Sequence, residues 1–94
     1  MEFLVQSGRI YQVDEKGKTV AEVTFPEEIP GVLNLNHTFV DESLRGQGVA
    51  GKLMQAVVDY AKAQGKQISP TCSYAVKWFE KHGEYQSLLN KSKL

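Results

Sequence analysis

The residues best suited to chemistry lie together in Leu44-Arg45-Gly46-Gln47-Gly48-Val49-Ala50-Gly51-Lys52-Leu53-Met54. Three glycines in a short turn run directly into an amphipathic stretch. With no side chain in the way, successive backbone N–H groups of such a turn stay open to a ligand, at the positive end of the following helix dipole. That combination is a site for phosphate oxygens. Arg45 stands at the turn and can add a bidentate, charge-assisted contact. Glycine-rich strand-to-helix turns also occur simply where a chain reverses. Arg45, and the position of the glycines in the first turn of a well-patterned helix, favour a phosphorylated ligand. The spacing is not that of the Walker loop, because Lys52 is not followed by Ser or Thr. Nor is it a Gly-x-Gly-x-x-Gly run with an acidic residue after a second strand.

Two further side chains can act as nucleophile or base. Cys72 stands just before a predicted helix whose N-terminus would favour the thiolate, which makes it a candidate nucleophile. A free cysteine is also a small apolar packing residue, and both readings stand. His37 is either a hydrogen-bonded strand histidine beside Leu35 and Phe39 or a general base, since imidazole titrates near neutral pH. His82 sits near a helix C-terminus and complements its dipole. Asp41 and Glu42 read as solvated loop acids, and Trp78 and Phe79 as core residues.

The elements that must position these groups follow from periodicity. Arg9 to Asp14 alternates apolar and polar, Asp14 to Lys18 is a turn, and Thr19 to Phe25 alternates again, which predicts a hairpin. Pro26 to Gly31 is a loop. Val32 to Val40 reads as one long strand, with Val32, Asn34, Asn36, Thr38 and Val40 on one face and Leu33, Leu35, His37 and Phe39 on the other. Val49 to Gln64 is the clearest helix, its stripe formed by Val49, Ala50, Leu53, Met54, Val57, Val58 and Ala61, with Gly65 as the stop. Gln67 to Ser69 is a short strand. Ser73 is the expected N-cap of a second helix from Tyr74 to His82, and Glu84 to Leu89 one more helical turn. Strand, helix and strand in that order predict parallel pairing of Val32–Val40 with Gln67–Ser69. The fold class is α+β, a mixed sheet of three antiparallel strands and a parallel βαβ crossover, flanked by helices.

Arg45-Gly46-Gln47-Gly48-Val49-Ala50 resembles the Arg/Gln-x-x-Gly-x-Gly/Ala signature of the GNAT acetyltransferases, between a strand and a helix as in that family. Cys72-Ser73-Tyr74-Ala75-Val76-Lys77-Trp78-Phe79-Glu80-Lys81-His82-Gly83 resembles the family's later Asn-x-x-Ala-x-x-x-Tyr-Glu-Lys-x-Gly segment. The chain looks like a minimal, single-domain member with a Cys-Ser-Tyr-Ala segment, truncated relative to the full superfamily. The resemblance implies an acetyl-CoA-dependent N-acetyltransferase. Arg45, Gly46, Gln47, Gly48, Val49, Ala50 and Gly51 would hold the CoA pyrophosphate, and Phe39 and Val40 would run along the pantetheine. The two parallel strands would splay to admit the thioester. Cys72 and His37 then become the catalytic candidates, as acyl-transfer nucleophile and base. The family's usual asparagine falls on Cys72, and its usual tyrosine, which protonates the departing thiolate, falls on Phe79. Phe79 cannot donate a proton. Tyr74 could substitute, although helix geometry sets it on a different side. The alternative function is a non-catalytic CoA- or acetyl-CoA-binding or regulatory module.

Composition narrows the partners. At 94 residues the chain suits one domain, 1–94. Lys plus Arg and Asp plus Glu are 11 each, without the basic excess of a nucleic-acid or membrane-surface binder. No stretch is apolar enough to span a bilayer, and Met1-Glu2-Phe3-Leu4-Val5 is unlike a signal peptide. One cysteine gives no disulfide framework or cysteine metal cluster. The resemblance implies CoA or acetyl-CoA and an amine as partners, and the composition adds the expectation of no metal, nucleic acid or membrane, in a cytoplasmic monomer or weak dimer. A short polar tail covers Asn90-Lys91-Ser92-Lys93.

Overall fold

The structure, a computed structural model, describes residues 3–90. Residues 91–93 of the polar tail, and Met1 and Glu2 of the N-terminal segment, lie outside that range. The described chain runs β1 (Leu4–Gln6), β2 (Arg9–Val13), β3 (Thr19–Thr24), β4 (Val32–Leu35), β5 (His37–Val40), a 3₁₀ turn (Glu42–Leu44), α1 (Val49–Gln64), β6 (Gln67–Pro70), α2 (Ser73–Lys81) and a second 3₁₀ segment (Gly83–Leu88). Strands β1, β2, β3 and β5 form an antiparallel sheet in that order, and β4 pairs with β6 in parallel. The α+β class with a parallel crossover is thus observed. The antiparallel part has one strand more than expected, because β1 pairs with β2 through Leu4 and Tyr11. With its side chains all exposed, β1 carries no buried alternation for a pattern search to find.

The hairpin between β2 and β3 is closed by Asp14, whose Oδ1 accepts from the N–H groups of Lys16 and Lys18, both at 2.9 Å. Helix α1 spans the predicted residues and ends at Gly65 in the left-handed conformation, φ 66°. Its buried face is Val49, Leu53, Met54, Val57, Val58 and Ala61. Of the predicted stripe only Ala50 leaves the core; it is half-buried and faces a cleft described below. The helix face packs on Ile10, Val23, Leu33, Leu35 and Ile68 of the strands and on Phe25, each at most 2% exposed. Fully burying one such side chain contributes about 1.5–3 kcal/mol. The core therefore clamps the helix, and with it the glycine turn at its head, against both sheets.

The predicted single strand Val32–Val40 is broken at Asn36. Before the break, β4 runs beside β6 with Leu35 opposite Pro70. The Leu35 carbonyl then accepts from the N–H groups of Thr71 at 3.0 Å and Cys72 at 3.2 Å. Asn36 turns the other way. Its N–H donates to the Thr24 carbonyl at 3.2 Å and its Oδ1 accepts from the Thr24 hydroxyl at 2.6 Å. From His37 onward the chain pairs only with β3. One residue out of the ladder shifts the alternation by one, which exchanges the faces. Leu33 and Leu35 are buried before Asn36. After it Thr38 and Val40 share the core side with their partners Val23 and Ala21, and His37 and Phe39 turn outward. A continuous period-two reading cannot anticipate that exchange.

Candidate active site

The break at Asn36 separates β5 from β6 and leaves a wedge. At its rim lies a cleft of about 380 Å³. Thr38 and Val40 of β5 form one wall, and Leu44, Arg45, Gly46 and Gly48 of the turn form the rim. The first turn of α1, Val49 to Gly51, closes the floor, with Tyr74 of α2 opposite.

The turn is built for exposed backbone. Asp41 accepts from the Ser43 hydroxyl at 2.7 Å and its N–H at 3.0 Å, which starts the 3₁₀ turn. These hydrogen bonds, more than nearby Lys18 and Arg45, hold the Asp41 carboxyl below the usual carboxylate range. Gly46 and Gly48 then take left-handed conformations, φ 84° and 71°, which glycine adopts without strain. Gly48 is the N-cap of α1, and no side chain caps the helix there. The free N–H groups of the first helical turn are therefore left for solvent or a ligand. A Cβ built on Gly46 or Gly48 meets no atom within 4 Å, so the space beside each is open. Arg45 is exposed and supplies the cleft's positive charge.

Of the sequence-predicted residues, the structure gathers Val40, Arg45, Gly46, Gly48, Val49, Ala50 and Gly51 around this cleft. Gln47 is exposed at the turn but does not line it. The face exchange at Asn36 puts the side chains of His37 and Phe39 on the opposite side of β5. The His37 imidazole is 54% exposed, with Nε2 3.7 Å from Glu22 Oε1, and Glu22 also pairs with Arg9. Cys72 does not line the cleft either. It is half-buried directly behind it, with Sγ 3.5 Å from the hydroxyl of Thr38, which does.

Cys72 also corrects the predicted cap. The N-cap of α2 is Cys72, and Ser73 is the first helical residue. The Cys72 sulfur accepts from the Ala75 N–H at 3.4 Å. A Cys72→Ala variant should lose about 1 kcal/mol of stability with the cap, and Cys72→Ser should recover most of it. Urea titration of the three proteins checks this.

Phe79 is 1% exposed and packs edge-on to Trp78, centroids 5.0 Å apart. Trp78 in turn stacks on His82 at 3.9 Å, and the His82 Nδ1 is 2.7 Å from the Trp78 carbonyl, so this histidine closes the helix end. The side chain that sequence reasoning undervalued is Tyr74. The signal was present: it falls off the Ala75–Trp78–Phe79 stripe of α2 and stands two residues after Cys72. Partial burial raises its phenol above the usual tyrosine value.

A split mixed sheet, with an uncapped glycine turn at the rim of the split, defines the architecture of a small acyltransferase-type domain. The family model for GCN5-related N-acetyl-transferases matches residues 10–88, and the chain belongs to that family. Among solved structures it is similar to a Staphylococcus aureus protein described as GCN5-like and a candidate N-acetyltransferase. The two are 32% identical over 95% of this chain and 87% of that one, with a TM-score of 0.78. An acetyltransferase from Bacillus cereus is 26% identical, with 86% of this chain and 56% of that one covered and a TM-score of 0.63. The ribosomal-protein-S18-alanine N-acetyltransferase of Escherichia coli shares the fold at 17% identity and a TM-score of 0.63, over 86% of this chain and 52% of that one. The chain thus spans little more than half the length of these last two enzymes. No curated protein matches it.

Proposed function

We propose that the protein binds acetyl-CoA at the Arg45–Gly51 turn and transfers its acetyl group to an amine. The observation that carries this reading is the uncapped N-terminus of α1, opened by two left-handed glycines onto a cleft. The first-turn N–H groups and Arg45 suit the two charges of a pyrophosphate. Gln47 takes part through its backbone. The pantetheine runs along β5, meeting the Val40 side chain and only the backbone of Phe39, whose ring points away. The thioester then lies toward the wedge, near Thr38 and Cys72. An amine arriving over the outer face of the sheet meets His37, the proposed base. Transfer runs directly or through a Cys72 thioester; the intact mass of protein mixed with acetyl-CoA alone separates the two, since only the second adds an acetyl group to Cys72.

Calorimetric titration with acetyl-CoA should show saturable binding that CoA displaces. Absence of heat and of competition would refute this reading. The buried Phe79, which leaves no phenol at the family's usual place, favours the second reading of a non-catalytic CoA-binding module. Binding without turnover across a panel of amines, proteins and polyamines would select that one.

A further inference from the structure

Acetyl transfer from a thioester needs a proton for the sulfur that leaves. The side chains around the cleft offer few donors. A guanidinium such as that of Arg45 serves as a charged hydrogen-bond donor rather than as a proton donor. The Thr38 hydroxyl lies against the Cys72 sulfur at 3.5 Å. Tyr74, in the first turn of α2, lines the cleft together with the glycine turn. Tyr74 is 41% exposed, and among the described residues its hydroxyl has no hydrogen-bond partner, so it is open to whatever enters the cleft. A phenol held against a cleft with its O–H unspent is placed to donate to whatever the cleft receives.

We propose that Tyr74 is the general acid of this protein, giving its proton to the departing CoA sulfur. The inference rests on the acetyl-transfer reading above. The step balances as follows. The amine nitrogen forms a bond to the acetyl carbon, and the carbon–sulfur bond breaks with its electron pair passing to sulfur. The Tyr74 O–H proton moves to that sulfur, so CoA leaves as the thiol and Tyr74 is left as phenolate. The proton lost by the amine nitrogen passes to His37, the proposed base, and from there returns to the phenolate through solvent. A tyrosine phenol is protonated at neutral pH, as a donor requires, and partial burial shifts Tyr74 further in that direction. The acid function thus sits in the first turn of α2, and the helix position taken by Phe79 is given to the core.

The test compares the wild-type protein with Tyr74→Phe, using acetyl-CoA as donor and hydroxylamine as a small acceptor that needs no shaped pocket. Acetohydroxamate formation gives kcat, and calorimetry gives the acetyl-CoA Kd. The variant should fold with unchanged thermal stability, because the hydroxyl it lacks bonds to nothing. Its Kd should stay within about twofold while kcat falls by about 100-fold, the low end for loss of a general acid. An active wild type and an equally active variant would overturn the Tyr74 assignment and leave acetyl transfer standing. Parallel losses in Kd and kcat would also overturn it, since Tyr74 would then be a wall of the binding cleft. A wild type that forms no acetohydroxamate above buffer would overturn both readings together.

Discussion

Gly48→Val should weaken acetyl-CoA binding by about 100-fold or more, a loss of about 2.7 kcal/mol. Two effects combine. At φ 71° a β-branched residue is strained by about 1–2 kcal/mol, so the turn would relax toward another conformation and carry its N–H groups away. The open space beside Gly48 is the cleft itself, and the valine methyls would enter it. Gly65→Val is the matched control. Gly65 has nearly the same conformation, φ 66° and ψ 35°, at the other end of the same helix. It should lose comparable stability and keep its affinity. Titration calorimetry with acetyl-CoA and urea melts on both variants separate strain from recognition. If Gly48→Val bound like the wild type, the turn would not be the phosphate cradle.

Phe79→Ala should cost about 3–5 kcal/mol, as a large-to-small change in a closed core. In a domain of this size that is a large share of the total, which for small proteins is about 5–15 kcal/mol. The ring is 1% exposed and anchors α2 in the common core, so the start of α2, where Cys72 and Tyr74 stand, should loosen with it. Phe79→Tyr supplies the residue usual at this family position. Here its hydroxyl would enter the core without a partner, at about 1–3 kcal/mol, and should not raise turnover. Denaturant melts and acetyl-transfer rates on the two variants check both halves. A faster Phe79→Tyr enzyme would mean that the helix turns to present position 79 to the cleft.

The glycine turn and α1 were legible in the sequence because local signals set both. Glycines that must be left-handed, a 3.6-residue stripe and a terminal glycine all act within a few residues of one another. Thr38 and Tyr74 were not legible as cleft residues, and their reasons differ. Thr38 turns inward only because Asn36 drops out of the ladder, and that break is held by partners 12 residues back, at Thr24, and 35 residues on, at Thr71, whose N–H bonds the preceding Leu35 carbonyl. The same unbroken alternation set His37 and Phe39 on one face with Leu33 and Leu35, so their side chains fall on the far face for the same reason. Tyr74 was recognisable as off the apolar stripe of its helix, but the surface it meets belongs to β5 and the head of α1. Cys72 carried a structural role that its chemistry hid: a sulfur in the position where an oxygen usually caps a helix.

The parting of β5 from β6 has a further effect on the protein's behaviour in solution. Beyond Asn36, β5 has β3 on one side and, among the described residues, no strand on the other. A bare strand edge is a template for pairing with another chain, including another copy of the same protein. The extended arm of a ligand lying along that edge would occupy its hydrogen-bonding groups. Ligand occupancy would then act as an edge cover. The ligand-free protein should self-associate at concentrations where the loaded protein stays dispersed.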